Sequence, residues 1–324
     1  MLSPFGSISL MAVTNKNQAL HVGFKLNDYT ITKVLSSGGF SFVYLAHDPN
    51  KKVVAIKEYM PTGLVLRNTG ATVQLDDHGD SAVFKQGLKS FFEEGLSLAK
   101  IDHKNIVRVL NFFRANNTVY MVMKYERGKS LQEYILAHEN PISENFVRRL
   151  FAELLNGLRE VHTHKLLHLD IKPANIYIRL DGSPVLLDFG SARQTLSESK
   201  SNIPLSYTPG FAPPEQYFNR QQLGPWSDIY SIGASMYACL YRATPQAANL
   251  RSTKDNLEPA KSLGSNIYSS ELLTLIDECL QLDFMARPQS VFSLQKKIIS
   301  LSPAQDINRN SFVNKIKKVL NTPL

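Results

Sequence analysis

The strongest constraint on this chain is a change of hydrophobic period along its length. From Leu26 the pattern alternates in short runs, at 29–32, 42–45 and 53–56, parted by the turn-forming clusters SSGG and DPNKK. Alternation of this kind, with tight turns between, predicts three strands of an antiparallel meander. Near Asp80 the spacing becomes helical and runs through Phe84, Leu88, Phe91, Phe92, Leu96 and Leu98. Two further apolar strand candidates follow at 106–113 and 119–123, and after Ser130 helical patterns dominate, at 146–162, 228–241, 271–281 and 291–301. A strand-rich first third followed by a helix-rich remainder predicts an α+β chain, with a small antiparallel sheet lobe and a larger, mainly helical lobe.

The chain's 324 residues suffice for one large bilobed domain or two ordinary ones. Its longest apolar stretch, 230–241, is interrupted by Ser231, Gly233 and Ser235. That falls well short of the roughly 20 residues that cross a bilayer, so no membrane span is expected. No basic residue precedes Lys16. A secretory signal places positive charge first, so a cytoplasmic protein is expected, starting at Met1 or at Met11. Cys239 and Cys279 lie in apolar helical patterns and read as buried thiols of a reducing compartment. The net charge of +8 comes without a Lys/Arg block interleaved with aromatics. Nucleic acid is therefore not an expected partner, and the surplus reads as solvated surface that also meets polyphosphate. Phe312, Ile316 and Val319, set among Lys315, Lys317 and Lys318, form one amphipathic patch near the end of the chain. Packing on the helical lobe or fraying is its expected fate, with contact to a membrane or partner as the alternative.

The chemistry is carried by two short strings in fixed order: HLDIKPAN at 168–175, then DFG at 188–190 behind the apolar VLL of 185–187. Moving a γ-phosphoryl group needs the phosphates held, their charge neutralised, and the acceptor hydroxyl oriented in line. A Gly/Ser turn between the first two strand candidates, LSSGGFSFV at 35–43, and VAIK at 54–57 supply further parts. In this order and spacing the motifs resemble the bacterial eukaryotic-like (Hanks-type) serine/threonine protein kinases from about Leu26 to Leu301. The string VAIKEYMPTGL resembles a group of these kinases with an insertion before the first helix, here 61–86.

The resemblance implies a division into a leader (1–25), a kinase domain (26–302, with an N-lobe over 26–123 and a C-lobe over 124–302) and a tail (303–324). It implies ATP with Mg²⁺ or Mn²⁺ as cofactors, and protein Ser/Thr hydroxyls as acceptors, the chain's own among them. Asp170 would accept or orient the hydroxyl proton, Lys172 would stabilise the transferring phosphoryl, and Thr208 would bond both. Asn175 and Asp188 would ligate metal. Lys57 would hold the α- and β-phosphates while paired with Glu94. The turn would cover the phosphates through Ser36, Gly38, Gly39, Phe40 and Val43. Ala55 and a gatekeeper Met123 would flank adenine, and backbone groups of Lys124 and Glu126 would bond it. Only the middle of the family's three loop glycines is kept, as Gly38; Ser36 and Ser41 stand at the outer two. YTPGFAPPE at 207–215 resembles the end of an activation segment, Asp228 a buried aspartate holding the catalytic loop, and Arg287 the partner of Glu215.

Two competing readings come from other classes. One is a pseudokinase scaffold that binds nucleotide without transfer, favoured by the two replaced glycines. The other is a small-molecule phosphotransferase, opposed by Lys172-Pro173 and the Pro-Pro-Glu215 segment. Leu169 stands where many kinases carry an arginine that binds activation-segment phosphate, so activity without that phosphate is expected. Segment 61–86, with Gly63, Gly70, Gly79 and Asp76-Asp77, reads as a turn-rich surface excursion. It would buttress the first helix, receive a regulatory partner, or do neither.

Overall fold

The computed structural model describes residues 18–67, 70–189, 207–264 and 267–301, together with the backbone of 193–194. Met11, Gly190, the hydroxyl-rich stretch up to Ser206 and the tail after 303 lie outside the described residues. The rest forms two compact units, one of residues up to 100 with 108–125, the other of 101–107 with the remainder from Glu126.

The first unit is built on six antiparallel strands: β1 (Lys25–Leu26), β2 (Tyr29–Ser37), β3 (Ser41–His47), β4 (Val53–Tyr59), β7 (Val109–Ala115) and β8 (Thr118–Lys124), in the order β1-β2-β3-β4-β8-β7. The meander foreseen from the alternating runs is present, and its strands run further than those runs. β2 continues to Ser37, with Ser36 opposite Val43, and Ser41 opposes Tyr59, so the turn itself is only 38–40. Two small strands, β5 (Val65–Leu66) and β6 (Gln74–Leu75), pair with each other. Helix α1 (Ser81–Ala99) begins at an Asp80 cap whose carboxylate accepts from the amides of Ala82 and Val83, satisfying donors that the first turn cannot use internally.

Register divides the sheet into two faces, because directly opposed residues project to the same side. Val43, Lys57 and Met121 share one face with Leu45, Ala55 and Met123. Helix α1 packs there, through Tyr59 stacked on Phe84 and in tilted contact with Phe91. Gly87 is needed at this contact: a Cβ there would lie 1.9 Å from the Tyr59 hydroxyl.

The opposite face carries Tyr44, Ile56, Glu58, Tyr120 and Val122, all with no measurable exposure. Leu20 covers it from the N-terminal side, and Met60 together with Val65, Arg67 and Val73 of the inserted segment from the other. The expectation of a surface excursion over 61–86 is therefore corrected. Its glycines and aspartates do form turns, but its apolar residues and one arginine close a second core. The last part of the segment is the start of α1.

The 106–113 strand expectation also shifts. Ile106 and Val107 leave the first sheet and join the second unit, where Ile106 bridges Leu186 and the Val107 amide donates to the Leu186 carbonyl. The strand proper starts at Val109.

The second unit contains α2 (Leu131–Ala137), α3 (Glu144–Thr163), α4 (Pro214–Phe218), α5 (Pro225–Tyr241), α6 (Ala248–Arg251), α7 (Ala260–Gly264), α8 (Ser270–Cys279) and α9 (Val291–Ser300). The four helices expected from periodicity are all present. Helix α5 is buried on every side from Ser227 to Leu240, which explains its apolar run without any membrane. A Cβ at Gly233 would lie 2.4 Å from that of Cys279, so a glycine lets α5 and α8 approach. Both cysteines are free and buried, and burial pushes the Cys279 thiol up to about 12. Short strands complete the unit: β9 (Gly128–Ser130), β11 (Ile176–Arg179) and β12 (Pro184–Leu186) form one sheet, and β10 (Leu166–Leu167) pairs with β13 (Arg193–Gln194). Among the described residues, no helix is long and apolar enough to cross a membrane.

Candidate active site

The polar cluster of the second unit is set by α5. Asp228, fully buried near the start of that helix, accepts from the backbone amides of His168 (2.9 Å) and Leu169 (2.8 Å) and contacts the His162 ring at 2.8 Å. Burial pushes its carboxyl up, but the His162 ring and the His168 amide outweigh that and hold it below the ordinary value. Two amides fixed by one carboxylate hold Leu169 at φ +60°, a left-handed conformation unusual for a residue with a branched side chain. The chain turns there and presents Asp170.

Four side chains converge on Asp170. The Lys172 ammonium donates to its Oδ1 at 3.1 Å and to Thr208 Oγ1 at 2.7 Å, while the Thr208 hydroxyl donates to Asp170 Oδ1 at 2.8 Å. The Asn175 amide donates to the Asp170 carbonyl (2.8 Å) and to its Oδ2 (2.9 Å). Both Asn175 protons are thereby directed at Asp170, which leaves the amide oxygen as the atom that could take a cation. Lys172 and Asp170 side chains keep 24% and 18% exposure, so both remain accessible from solvent. The His168 ring accepts from the Asp170 amide through Nδ1 and meets the Leu187 carbonyl at 3.2 Å through Nε2. Its ring lies 4.3 Å from that of Phe189. Burial lowers the His168 pKa, and the nearby Asp228 and Asp170 charges oppose that only in part. The neutral ring with its proton on Nε2 fits both contacts.

Asp188 stands at φ +52°, beside the buried Phe189, and the Leu187 amide donates to the Asn175 carbonyl at 2.8 Å. The DFG strand end is thus tied to the loop carrying Asn175. Thr208 is held by its own turn, its carbonyl accepting from the Phe211 and Ala212 amides. Below it, Glu215 and Arg287 form a buried two-pronged pair at 2.8 and 3.1 Å, with the Ser227 hydroxyl donating to Glu215.

Glu126 belongs to this second unit, and its carboxylate accepts from Arg179 at 2.7 and 3.0 Å.

In the first unit, Val43, Ala55, Lys57 and Met123 occupy one face of the sheet, as their register requires. Ser36 pairs with Val43 and shares it. Lys57 is buried, and its ammonium lies 5.5 Å from the centre of the Phe91 ring. Phe91 is one turn before the buried Glu94 on α1, so both project from the same side of the helix. The Lys124 amide donates to the Arg108 carbonyl at 2.9 Å, so that amide is not the group that would meet a base. In the turn, the Gly38 amide donates to the Ser41 carbonyl, and the Gly39 and Phe40 carbonyls accept from the Thr62 and Met60 amides.

Sequence reasoning missed four contributors. His162 is recognisable only once α3 and α5 are seen to meet. Gln216, whose side-chain amide donates to the Leu169 carbonyl at 2.9 Å, follows the PPE string directly but carries no charge to draw notice. Glu58 and Arg67, which no motif singles out, are both buried.

A family model described as the protein kinase domain matches residues 29–299. Serine/threonine-protein kinase D of a Synechocystis strain is 31% identical over 232 residues, covering 68% of this chain and 42% of that protein. Serine/threonine-protein kinase PknA of a Nostoc strain is also 31% identical, with 68% and 38% covered. Serine/threonine-protein kinase B of Synechocystis is 28% identical over 84% of this chain and 46% of its own. The chain spans less than half the length of these curated relatives. Among solved structures, one titled "PpkA-294 apo form" is 35% identical, with a TM-score of 0.76 over 86% of this chain and 99% of that one.

Proposed function

The chain belongs to the protein kinase family, and from that premise we propose that it transfers the γ-phosphoryl group of ATP to Ser and Thr hydroxyls of proteins, itself included. The observation that carries this reading is the triangle of Asp170, Lys172 and Thr208. Asp170, whose carboxylate receives donors from Lys172, Thr208 and Asn175, orients the acceptor hydroxyl and takes its proton. Lys172, beside it, offers positive charge where negative charge spreads over the moving phosphoryl. Thr208 connects the two, so that the residue closing the peptide-binding segment also sets the catalytic pair. The relatives' printed names, serine/threonine-protein kinase, agree with Lys172 at this position.

The donor set fits a hard divalent cation, Mg²⁺ or Mn²⁺, because the Asn175 amide oxygen and the Asp188 carboxylate are both oxygen ligands. Such a cation, when bound, neutralises phosphate charge and fixes the phosphate oxygens. Lys57 holds the α- and β-phosphates, Glu94 orients Lys57, and the 38–40 turn covers the phosphates. Ala55 and Met123 flank adenine, with the Lys124 carbonyl and the Glu126 amide as its hydrogen-bond partners. Activity without activation-segment phosphate follows from Leu169, which is buried and apolar where a phosphate-binding arginine would stand.

The test is incubation of the full chain with γ-labelled ATP, Mg²⁺ and casein. Label on casein or on the chain itself is expected. Nucleotide binding without label would favour a scaffold, and label on small metabolites alone would favour a different phosphotransferase.

A further inference from the structure

Nothing in the catalytic machinery accounts for the buried Glu58 and Arg67 of the first unit. Glu58 follows Lys57 on β4 and therefore points to the opposite face of the sheet. There its carboxylate receives four donors. Tyr44 and Tyr120 hydroxyls donate at 2.7 and 2.5 Å, and Arg67 donates to both oxygens. Arg67 also donates from Nε to the Ala71 carbonyl and from Nη1 to the Gln18 carbonyl. Burial and the Glu58 carboxylate raise both tyrosine pKa values, so both hydroxyls stay protonated as donors. One guanidinium thus ties together the inserted segment, the N-terminal approach and the strand that carries Lys57.

The same segment reaches the phosphate turn. Past the last pair of the β3–β4 ladder, Ser41 with Tyr59, the Met60 amide donates to Phe40 O at 2.8 Å and the Thr62 amide to Gly39 O at 2.7 Å. The ladder therefore continues beyond the strands into the turn. The Met60 and Val65 side chains, both fully buried, hold residues 60–65 against the second core. The Leu64 and Val65 amides donate to the Pro61 carbonyl.

We propose that Arg67 is a positioning residue for phosphoryl transfer: paired with Glu58, it fixes residues 60–67 so that the Met60 and Thr62 amides hold the 38–40 turn at its working height over the nucleotide phosphates. The 38–40 turn, flanked by Ser36 and Ser41 at the outer two glycine positions, is then set from outside by residues 60–67. Two hydrogen bonds to carbonyls at the tip restrain it where glycine content alone would leave it loose. This rests on the ATP reading given above, so the test has one arm that needs no activity.

The full chain is compared with Arg67→Met, with Arg67→Lys, and with the double variant Glu58→Gln/Arg67→Met, which removes both charges and leaves the tyrosine donors an acceptor. Amide hydrogen exchange at Met60 and Thr62 is measured against Leu45 and Ile56 in the same sheet. Steady-state constants are measured for ATP and for casein. In Arg67→Met, Met60 and Thr62 are expected to exchange at least tenfold faster while Leu45 and Ile56 stay within twofold. KM for ATP is expected to rise at least fivefold with KM for casein within twofold, and Arg67→Lys should recover part of both losses. If Arg67→Met does not fold, the double variant is held to the same criteria. Unchanged exchange at Met60 and Thr62, or a rise uniform through the sheet, would overturn the proposal. So would faster local exchange with an unaltered KM for ATP. A wild-type chain that transfers nothing would sink the kinase reading, and the exchange arm would still decide whether Arg67 holds the turn.

Discussion

The side-chain amide of Gln216 donates to the backbone carbonyl of Leu169 at 2.9 Å, while the amide of the same leucine donates to Asp228. Both backbone groups of the residue before Asp170 are therefore held by buried side chains from α4 and α5. In this chain the leucine's position is set without any arginine–phosphate contact. Gln216 Oε1 is buried with no hydrogen-bond partner among the described residues, so this glutamine is kept at a cost, and its donor end is the part in use.

Replacing that donor should weaken catalysis directly. Gln216→Met keeps the size and leaves the Leu169 carbonyl unsatisfied, a loss of about 1–3 kcal/mol. If it falls on the transition state, turnover drops roughly five- to a hundredfold. Steady-state kinetics with a urea unfolding curve measures both parts. A folded variant with wild-type turnover would remove Gln216 from the positioning of Asp170.

Activation-segment phosphate should matter little. Leu169 is buried and offers no charge to a phosphate, and Gln216 and Asp228 already fix it. Phosphatase treatment, and separately Ala at Thr195, Ser197, Ser199 and Ser201, should leave most of the activity. A tenfold loss in both experiments would show that loop phosphate is required.

Stability should fall on mild acidification through His168. Burial depresses its folded pKa below the unfolded value of about 6.5. As pH drops through that value the unfolded chain takes up a proton that the native ring refuses, so stability present above about pH 6.5 is progressively lost below it. Asp228, also depressed, adds a further loss at lower pH, below the ordinary carboxylate range. Urea midpoints at intervals between pH 8 and pH 5 should decline from about pH 6.5, and a His168→Phe variant should flatten that decline. Equal slopes in the two proteins would contradict the assignment.

The Glu215–Arg287 pair should be structural. Both side chains are essentially inaccessible, and the guanidinium also donates to the Gln281, Leu282 and Trp226 carbonyls. Removing one partner of such a pair strands a buried charge, at about 3–5 kcal/mol. Arg287→Met should lower the urea midpoint accordingly. A shift equivalent to less than about 1 kcal/mol would mean that the pair is relaxed or hydrated in solution.

The catalytic strings were readable because polar residues in a fixed order cannot drift without losing the chemistry. The helices were readable because each buries a single stripe or, for α5, its whole surface. The second core on the outer sheet face was not readable. Glu58 and Arg67 carry the side chains most often found in water, and their burial depends on two tyrosines distant in sequence. The inserted segment was misjudged for a related reason. Its glycines and aspartates do mark turns, but Val65 and Val73 between them are too widely spaced to show any period. Ile106 and Val107 have strand-like side chains, yet they pair with Leu186 within the second unit, and no local pattern announces a change of partner. Beside the turn, Ser36 and Ser41 sit opposite Val43 and Tyr59 in regular pairing, a continuation of the strands that the Gly/Ser string does not announce.

The central claim is that Asp170, held by Lys172, Thr208 and Asn175, orients the acceptor hydroxyl for transfer. It is tested most directly by turnover and nucleotide affinity in Asp170→Asn, measured on the same folded protein with casein and saturating ATP. Losing the proton acceptor while keeping the shape should lower kcat by about a thousandfold, on the order of 4 kcal/mol, with the dissociation constant for ATP within threefold of wild type. Retention of more than half the wild-type turnover would contradict the account.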